Sequence, residues 1–489
     1  MTDRTPSQAA PLPPDPVTAR ASWSALAIVG IAQMLVMLDS TIVNVALPSI
    51  GRDLRAGTTA LQWTISGYLL TYGALLLFGG RLADALGRRR ALLLGLVLFG
   101  AASLVCGVAA TEAVLVAARL CQGAGAAVLS ASALSVIVSV YGRVPAQLNT
   151  ALAVWSGLGV IGAVLGVVLG GVVVEYLSWR WAFLVNIPVV VAVVAASFTW
   201  LAPMPGAAGT RLRLPAAAAA TLGTGMLCFG LIELQEGLSR PWPWAALASS
   251  AVLLTLLLRH QDRSADPLLP VFLLRTPAYA WAGLGLLLAA TLMLGALYLS
   301  SNHLQAVHRM SPLETGFALL PLCLGSLVSA FAVPGLAARI GMTRVHLAGV
   351  LVQAASIAVI LAGTASGTGG AAVVIAALAV FGLGLPTMFV PLYTFGSAPI
   401  PVTHAGVGSG LLNTFNESGA GVGLAVVAPV SAAAAAVGLD NGDSAPTAAA
   451  AGTHAGFWVL AAVSLLAGVV ALALGRTAAG PGRSSGAPR

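Results

Sequence analysis

The chain has 489 residues, of which 58% are hydrophobic and only 8% charged, and its formal net charge is +8. A soluble domain carries about 25% charged residues, so this composition excludes an ordinary soluble fold and points to a chain solvated by lipid. The positive charge is all arginine and falls in short segments between apolar runs, where it sets membrane orientation rather than marking a nucleic-acid surface.

Residues 1–22 are polar and proline-rich, carry no signal-peptide core, and read as a disordered tail. Fourteen apolar runs follow, each near the ~20 residues that a span requires: 24–47, 61–80, 91–110, 113–140, 149–173, 181–201, 215–235, 243–258, 278–300, 313–337, 345–363, 370–396, 405–434 and 454–475. The eighth is the shortest. Cys106, Cys121, Cys228 and Cys323 lie inside such runs and read as small core residues without a disulfide. With the N-terminus placed in the cytoplasm, seventeen arginines fall in inner loops and tails and five in outer loops, and Arg119 lies within a span. That bias predicts both ends inside and an even number of spans.

An internal repeat divides the runs. "GRLADALGRRR" (80–90) follows the second span and "PGLAARIGMTR" (334–344) the tenth; Gly87 aligns with Gly341 and Arg90 with Arg344, while Asp84 meets Ala338. The repeat predicts two six-helix bundles, 23–201 and 277–475, an inserted helix pair with linkers over 202–276, and a second tail over 476–489. Halves related by an axis along the membrane normal are a transporter arrangement.

Charges inside the spans are the candidate functional groups, because a charge at mid-bilayer costs at least ~2.5–3.5 kcal/mol. Asp39 is eight residues from the outer end of the first span and Arg119 six from the outer end of the fourth, so at 1.5 Å per residue they lie ~12 and ~9 Å deep. Similar depth predicts a pair. It is either a proton or substrate site or a static pin between two helices. Glu417 lies ~18 Å into the thirteenth span, near the midplane; it reads as a proton or cation site, or as a protonated packing residue. Asn44, Gln62, Trp63, Gln122, Asn413 and Asn416 are candidates for a substrate cavity. Glu233 and Glu236, at the outer end of the seventh span, read as solvated. In the loop after the second span, Gly80 and Gly87 permit a tight turn. Asp84 can meet an arginine such as Arg88 or a helix N-terminus. Gly162, Gly166 and Gly170 recur every four residues and form a face for close helix contact.

These residues also carry a likeness. "LDSTIVNVALPSI" (38–50), "GGRLADALGRRR" (79–90), "AARLCQGAGAA" (117–127) and "SWRWAFLVNIP" (178–188) together resemble the fourteen-span drug:proton antiporters of the major facilitator superfamily. The resemblance implies an all-α integral membrane protein with two six-helix bundles plus two inserted helices. It also implies proton coupling at Arg119, and that the loop cluster around Asp84 latches the two halves on the inner side. One departure stands out: in "GAVLGVVLGG" (162–171), Val167 occupies the place of a proline in the family's span-5 motif.

The expected function is proton-coupled export of a small drug or antibiotic across a bacterial inner membrane by alternating access. A facilitator or importer, favoured by Val167, and a transport-dead sensor or scaffold are the alternatives. No catalytic constellation, nucleotide-binding loop or metal-ligand spacing is present in the sequence. The expected partners are therefore substrate, protons and lipid, with no nucleic acid, and the expected state is a monomer with the proton gradient in place of a cofactor.

Overall fold

A computed structural model describes residues 16–142, 144–206, 214–234, 240–263, 271–364, 370–401 and 404–479, and these form helices without a strand. The reason is solvent: in hydrocarbon each backbone N–H and C=O must be satisfied within its own segment. The first half holds α1 (Pro16–Leu54), α2 (Thr58–Leu86), α3 (Arg88–Gly107), α4 (Glu112–Tyr141), α5 (Pro145–Tyr176), the single turn α6 (Trp181–Leu184) and α7 (Asn186–Trp200). A pair follows, α8 (Leu214–Leu234) and α9 (Pro241–Asp262), then the short α10 (Val271–Arg275). The second half holds α11 (Pro277–Ala306), α12 (Pro312–Ala318), α13 (Leu320–Ile340), α14 (Met342–Thr364), α15 (Ala371–Ser397), α16 (Ala405–Asp440) and α17 (Ala445–Ala479).

Among the described residues, thirteen stretches are long and apolar enough to cross a membrane, with α6–α7 and α12–α13 each counting as one. The fourteenth is the shorter apolar run Pro215–Leu231 of α8. The eighth run, read from sequence as the short one, is instead a helix of 22 residues. Pro241 at its first turn and the basic Arg259 and His260 in its last extend it past the apolar stretch. The expected disordered tail is also shorter than read, because α1 begins at Pro16, a residue suited to a first helical turn. Residues 1–15 and 480–489 lie outside the described residues, as do Glu236, Arg211 and Arg213.

The two halves repeat one packing scheme. α1 packs on α5 as α11 packs on α16; α2 packs on α4 as α13 packs on α15; α3 packs on α4 as α14 packs on α15. The repeated loops also match in backbone, since Gly87 and Gly341 close α2 and α13 with φ of 91° and 83°. Between the halves, α2 lies against α16 and α5 against α13. The pair α8–α9 covers part of that seam: Thr224 Oγ1 donates to the Ala74 carbonyl of α2 at 2.9 Å, and Leu231 clusters with Ala425 of α16. Glu233 of α8 is partly buried and stands 3.8 Å from Arg240. The four cysteines are free thiols.

The glycine face of α5 lies on α1. A Cβ added at Gly162 would meet the Met34 carbonyl, one at Gly166 the Thr41 hydroxyl and, at 2.5 Å, the Leu38 carbonyl, and one at Gly170 the Ile42 side chain at 3.1 Å. Thr41 Oγ1 donates across this contact to the Ala163 carbonyl at 2.7 Å. α5 is a continuous helix of 32 residues through position 167; the Val167 side chain lies outside the described residues. Gly166→Val should therefore destabilise the protein by roughly the 1–3 kcal/mol typical of overpacking, read as a lower unfolding temperature in detergent. Gly225→Ala, whose Cβ would touch only Ala74 at an ordinary 3.5 Å, should leave it unchanged.

Candidate functional site

Asp39 and Arg119 meet. Arg119 Nη1 donates to Asp39 Oδ2 at 2.6 Å, with the two side chains 1% and 0% exposed. The surrounding shell is nearly complete. Asp39 Oδ1 accepts from Gln122 Nε2 and from Asn186 Nδ2, each at 2.8 Å. Arg119 Nε donates to the Thr64 carbonyl at 2.9 Å and Nη1 also to Gln122 Oε1 at 2.8 Å. Ser103 Oγ accepts from Gln122 and Asn186 at 3.1 and 3.0 Å and donates to the Phe183 carbonyl at 2.9 Å. The guanidinium lies 4.1 Å from the Tyr68 ring centre, a cation–π distance. Six helices, α1, α2, α3, α4, α6 and α7, thus converge on one carboxylate. Gln122, read from sequence as a cavity residue, is wholly buried in this shell, because its amide is the one group that can serve both Asp39 and Arg119.

Glu417 is arranged differently. Its Oε1 accepts from Asn416 Nδ2 at 3.1 Å and from Tyr72 OH at 3.4 Å, and the residue is only partly buried. Tyr72 belongs to α2 and Glu417 to α16, so this contact crosses the seam between halves. Tyr72 OH also reaches Ser130 Oγ at 3.2 Å, and Ser130 Oγ reaches Gln33 Oε1 at 3.2 Å. Asn413 Nδ2 lies 3.4 Å from Ser130 Oγ, and Asn413 Oδ1 accepts from Tyr393 OH at 3.0 Å. Tyr68 and Tyr72 stack with ring centres 5.9 Å apart. One aromatic pair on α2 therefore touches both the Arg119 site and the Glu417 site. Trp63 is half-buried one turn before Gly67 on α2. The side chains of Asn44 and Gln62 lie outside the described residues.

Asp84 supplies the third feature. Its Oδ1 accepts from the Gly406 N–H at 2.7 Å and Oδ2 from the Val407 N–H at 2.9 Å. These are the first N–H groups of α16, where unpaired donors and the helix dipole favour a carboxylate. Asp84 is 1% exposed. The close approach that brings it there needs Gly80, where a Cβ would collide with the Gly406 carbonyl. A further bond across the seam runs from Thr394 Oγ1 to Asn149 Oδ1 at 2.8 Å. Arg88, grouped with the latch in the sequence reading, donates from Nε to Ser135 Oγ of α4 at 3.1 Å and also interacts electrostatically with Asp84. At the opposite ends of α1 and α3, Arg180 Nη1 meets Asp53 Oδ2 at 2.5 Å and Trp179 Nε1 meets it at 2.9 Å. The bond from Arg180, then that from Trp179, holds the Asp53 carboxyl below its usual range.

Sequence reasoning missed Ser103, Asn186, Tyr68, Tyr72, Ser130 and Gln33. The signal was available in part: Asn186 and Gln33 are amides in otherwise apolar runs, and a polar group in lipid needs a partner.

Duplicated halves of membrane-spanning helices are a transporter arrangement. The chain belongs to the major facilitator superfamily, whose family model matches residues 29–424. It is 32% identical over 454 residues to the puromycin resistance protein pur8 of Streptomyces alboniger, covering 92% of this chain and 89% of the relative. It is 36% identical over 331 residues to the lincomycin resistance protein of Streptomyces lincolnensis, covering 68% of each. In fold it is similar to the human organic anion transporter MFSD10, with a TM-score of 0.65 at 16% identity over 92% of this chain and 99% of that one. The relatives are resistance and export proteins of actinobacteria.

Proposed function

We propose that the protein exports a small organic molecule, a drug or antibiotic, across a bacterial cytoplasmic membrane in exchange for protons, with both chain ends in the cytoplasm. The carrying observation is the pairing of a buried Asp39–Arg119 bridge in one half with a partly buried Glu417 at the seam. Opening one side of the seam and closing the other exposes Glu417 to each side in turn. Asp84 on the first N–H groups of α16 holds the arginine-rich face closed. The resistance functions named for the relatives support drug export, and the arginine bias supports the orientation.

The Asp39–Arg119 pair, whose carboxylate has donors on both oxygens, and Glu417 at the seam are together the groups through which protons act. Energised cells of a pump-deficient strain carrying the protein should accumulate less puromycin or lincomycin than controls. A protonophore should restore accumulation to the control level. Reporter fusions after Arg20 and Arg476 should both read as cytoplasmic. Efflux that persists without a proton gradient would favour a facilitator.

A further inference from the structure

The two halves differ at one place on the arginine-rich face. Gly87 and Gly341 are equivalent turns, so Arg89 of α3 corresponds to Thr343 of α14. α3 packs on α7 as α14 packs on α17. In the first half Arg89 Nη2 donates to the Phe198 carbonyl near the end of α7 at 3.0 Å, and its guanidinium lies 5.5 Å from the Phe198 ring centre. In the second half the shorter Thr343 stands against Gly475 of α17, where an added Cβ would meet its methyl at 3.0 Å. A pocket of about 340 Å³ remains, with Thr343, Arg344, Leu347, Leu472, Gly475 and Arg476 in its walls. Arg344 and Arg476 are exposed, and among the described residues neither has an ion pair or a hydrogen bond. Arg344 also lies in the first turn of α14, the end of a helix where positive charge is disfavoured. Beyond the arginines the pocket runs on as an apolar groove. A Cβ added at Gly468, two turns before Gly475, would meet only Val350 at 4.0 Å. Leu351, one turn past Leu347, and Leu465, two turns before Leu472, continue the two walls and are 60% and 76% exposed.

We propose that this pocket binds one anionic phospholipid from the leaflet on the arginine-rich side. Its phosphodiester sits between Arg344 and Arg476, and an acyl chain follows the Gly468 groove. Basic pockets between spans at such a face recognise anionic head groups, and a guanidinium donates to phosphate oxygens in a forked geometry. A zwitterionic head brings an ammonium that the two arginines repel. Residues 480–489 carry two arginines and no acidic side chain, so they do not supply the counter-charge. The site is separate from Asp39 and Glu417 and does not rest on the export reading.

The test is native mass spectrometry of the purified, delipidated full chain, with every variant checked for monodisperse elution. The probes are phosphatidylglycerol, phosphatidylethanolamine with the same acyl chains, and glycerol 3-phosphate, which has the phosphate but no chains. The first phosphatidylglycerol should bind at least about tenfold more tightly than phosphatidylethanolamine, as expected for charge-assisted hydrogen bonds. Arg344→Gln combined with Arg476→Gln should erase that ratio. Arg259→Gln, the same loss of charge at the end of α9, should leave it unchanged. Gly468→Leu fills the groove without altering charge and should weaken phosphatidylglycerol about fivefold, roughly the worth of one buried methylene. Equal binding of the two lipids, a preference that survives the double arginine variant, or one that Arg259→Gln removes as well would overturn the proposal. So would unchanged binding by Gly468→Leu. Glycerol 3-phosphate binding as tightly as phosphatidylglycerol would overturn the lipid assignment and leave a simple anion site.

Discussion

Asp39→Asn and Arg119→Gln, made singly, are each expected to abolish export and to lower the yield of folded protein. Each leaves one charge of a 2.6 Å pair inside a core where the two side chains are 1% and 0% exposed. Breaking such a pair costs about 3–5 kcal/mol, because the remaining charge is uncompensated. In Asp39→Asn the guanidinium keeps the Thr64 carbonyl, Gln122 Oε1 and the Tyr68 ring, but these carry no full negative charge. In Arg119→Gln the carboxylate keeps two amide donors, Gln122 and Asn186. The double variant removes both charges, so its yield should recover towards wild type while its export stays absent. Membrane yield and drug efflux, measured side by side on the three variants, separate the two roles. Normal proton-dependent export by the double variant would reduce the pair to packing and leave coupling to Glu417 alone.

Asp84→Asn should leave expression normal and cut export about tenfold or more. The carboxylate accepts two N–H groups of α16 at 2.7 and 2.9 Å, and hydrogen bonds to a charged group are worth about 1.5–3 kcal/mol each. An amide keeps one acceptor and turns its NH₂ towards the other N–H, so one bond becomes a repulsion. The loss falls on the closed arginine-rich face alone, so the equilibrium shifts towards opening there. Val407 is fully buried beneath the latch. A Val407→Cys reporter, with the native cysteines replaced by serine, should react faster with a membrane-impermeant maleimide in inside-out vesicles when Asp84→Asn is added. Full export with unchanged labelling would leave the loop as a topology signal only.

One helix, α2, links the three features. Its middle carries Tyr68 against Arg119 and Tyr72 against Glu417, and its end carries Asp84 against α16. The helix that touches Glu417 therefore also carries Asp84.

What the sequence by itself determined is whatever depends on one segment and its solvent. Apolar length specifies the spans, because every residue in lipid feels the same hydrocarbon, and arginine placement gives only the orientation to be expected of them. Equal depth predicted that Asp39 and Arg119 would meet, because depth along a helix is a count of residues. The glycine face of α5 was legible for the same reason, as a four-residue period. Only the tertiary structure decided the partners. Asp84 faces either an arginine or a helix end by sequence. It meets Gly406 and Val407, more than three hundred residues away, because Gly80 lets two backbones close to contact. Gln122 reads from sequence as a cavity residue, and the arrival of Asn186 and Ser103 from other helices placed it in the core instead. The Asp39 shell closed and the Glu417 shell did not. That difference depends on which donors six separate helices bring to a point, and no local period records it.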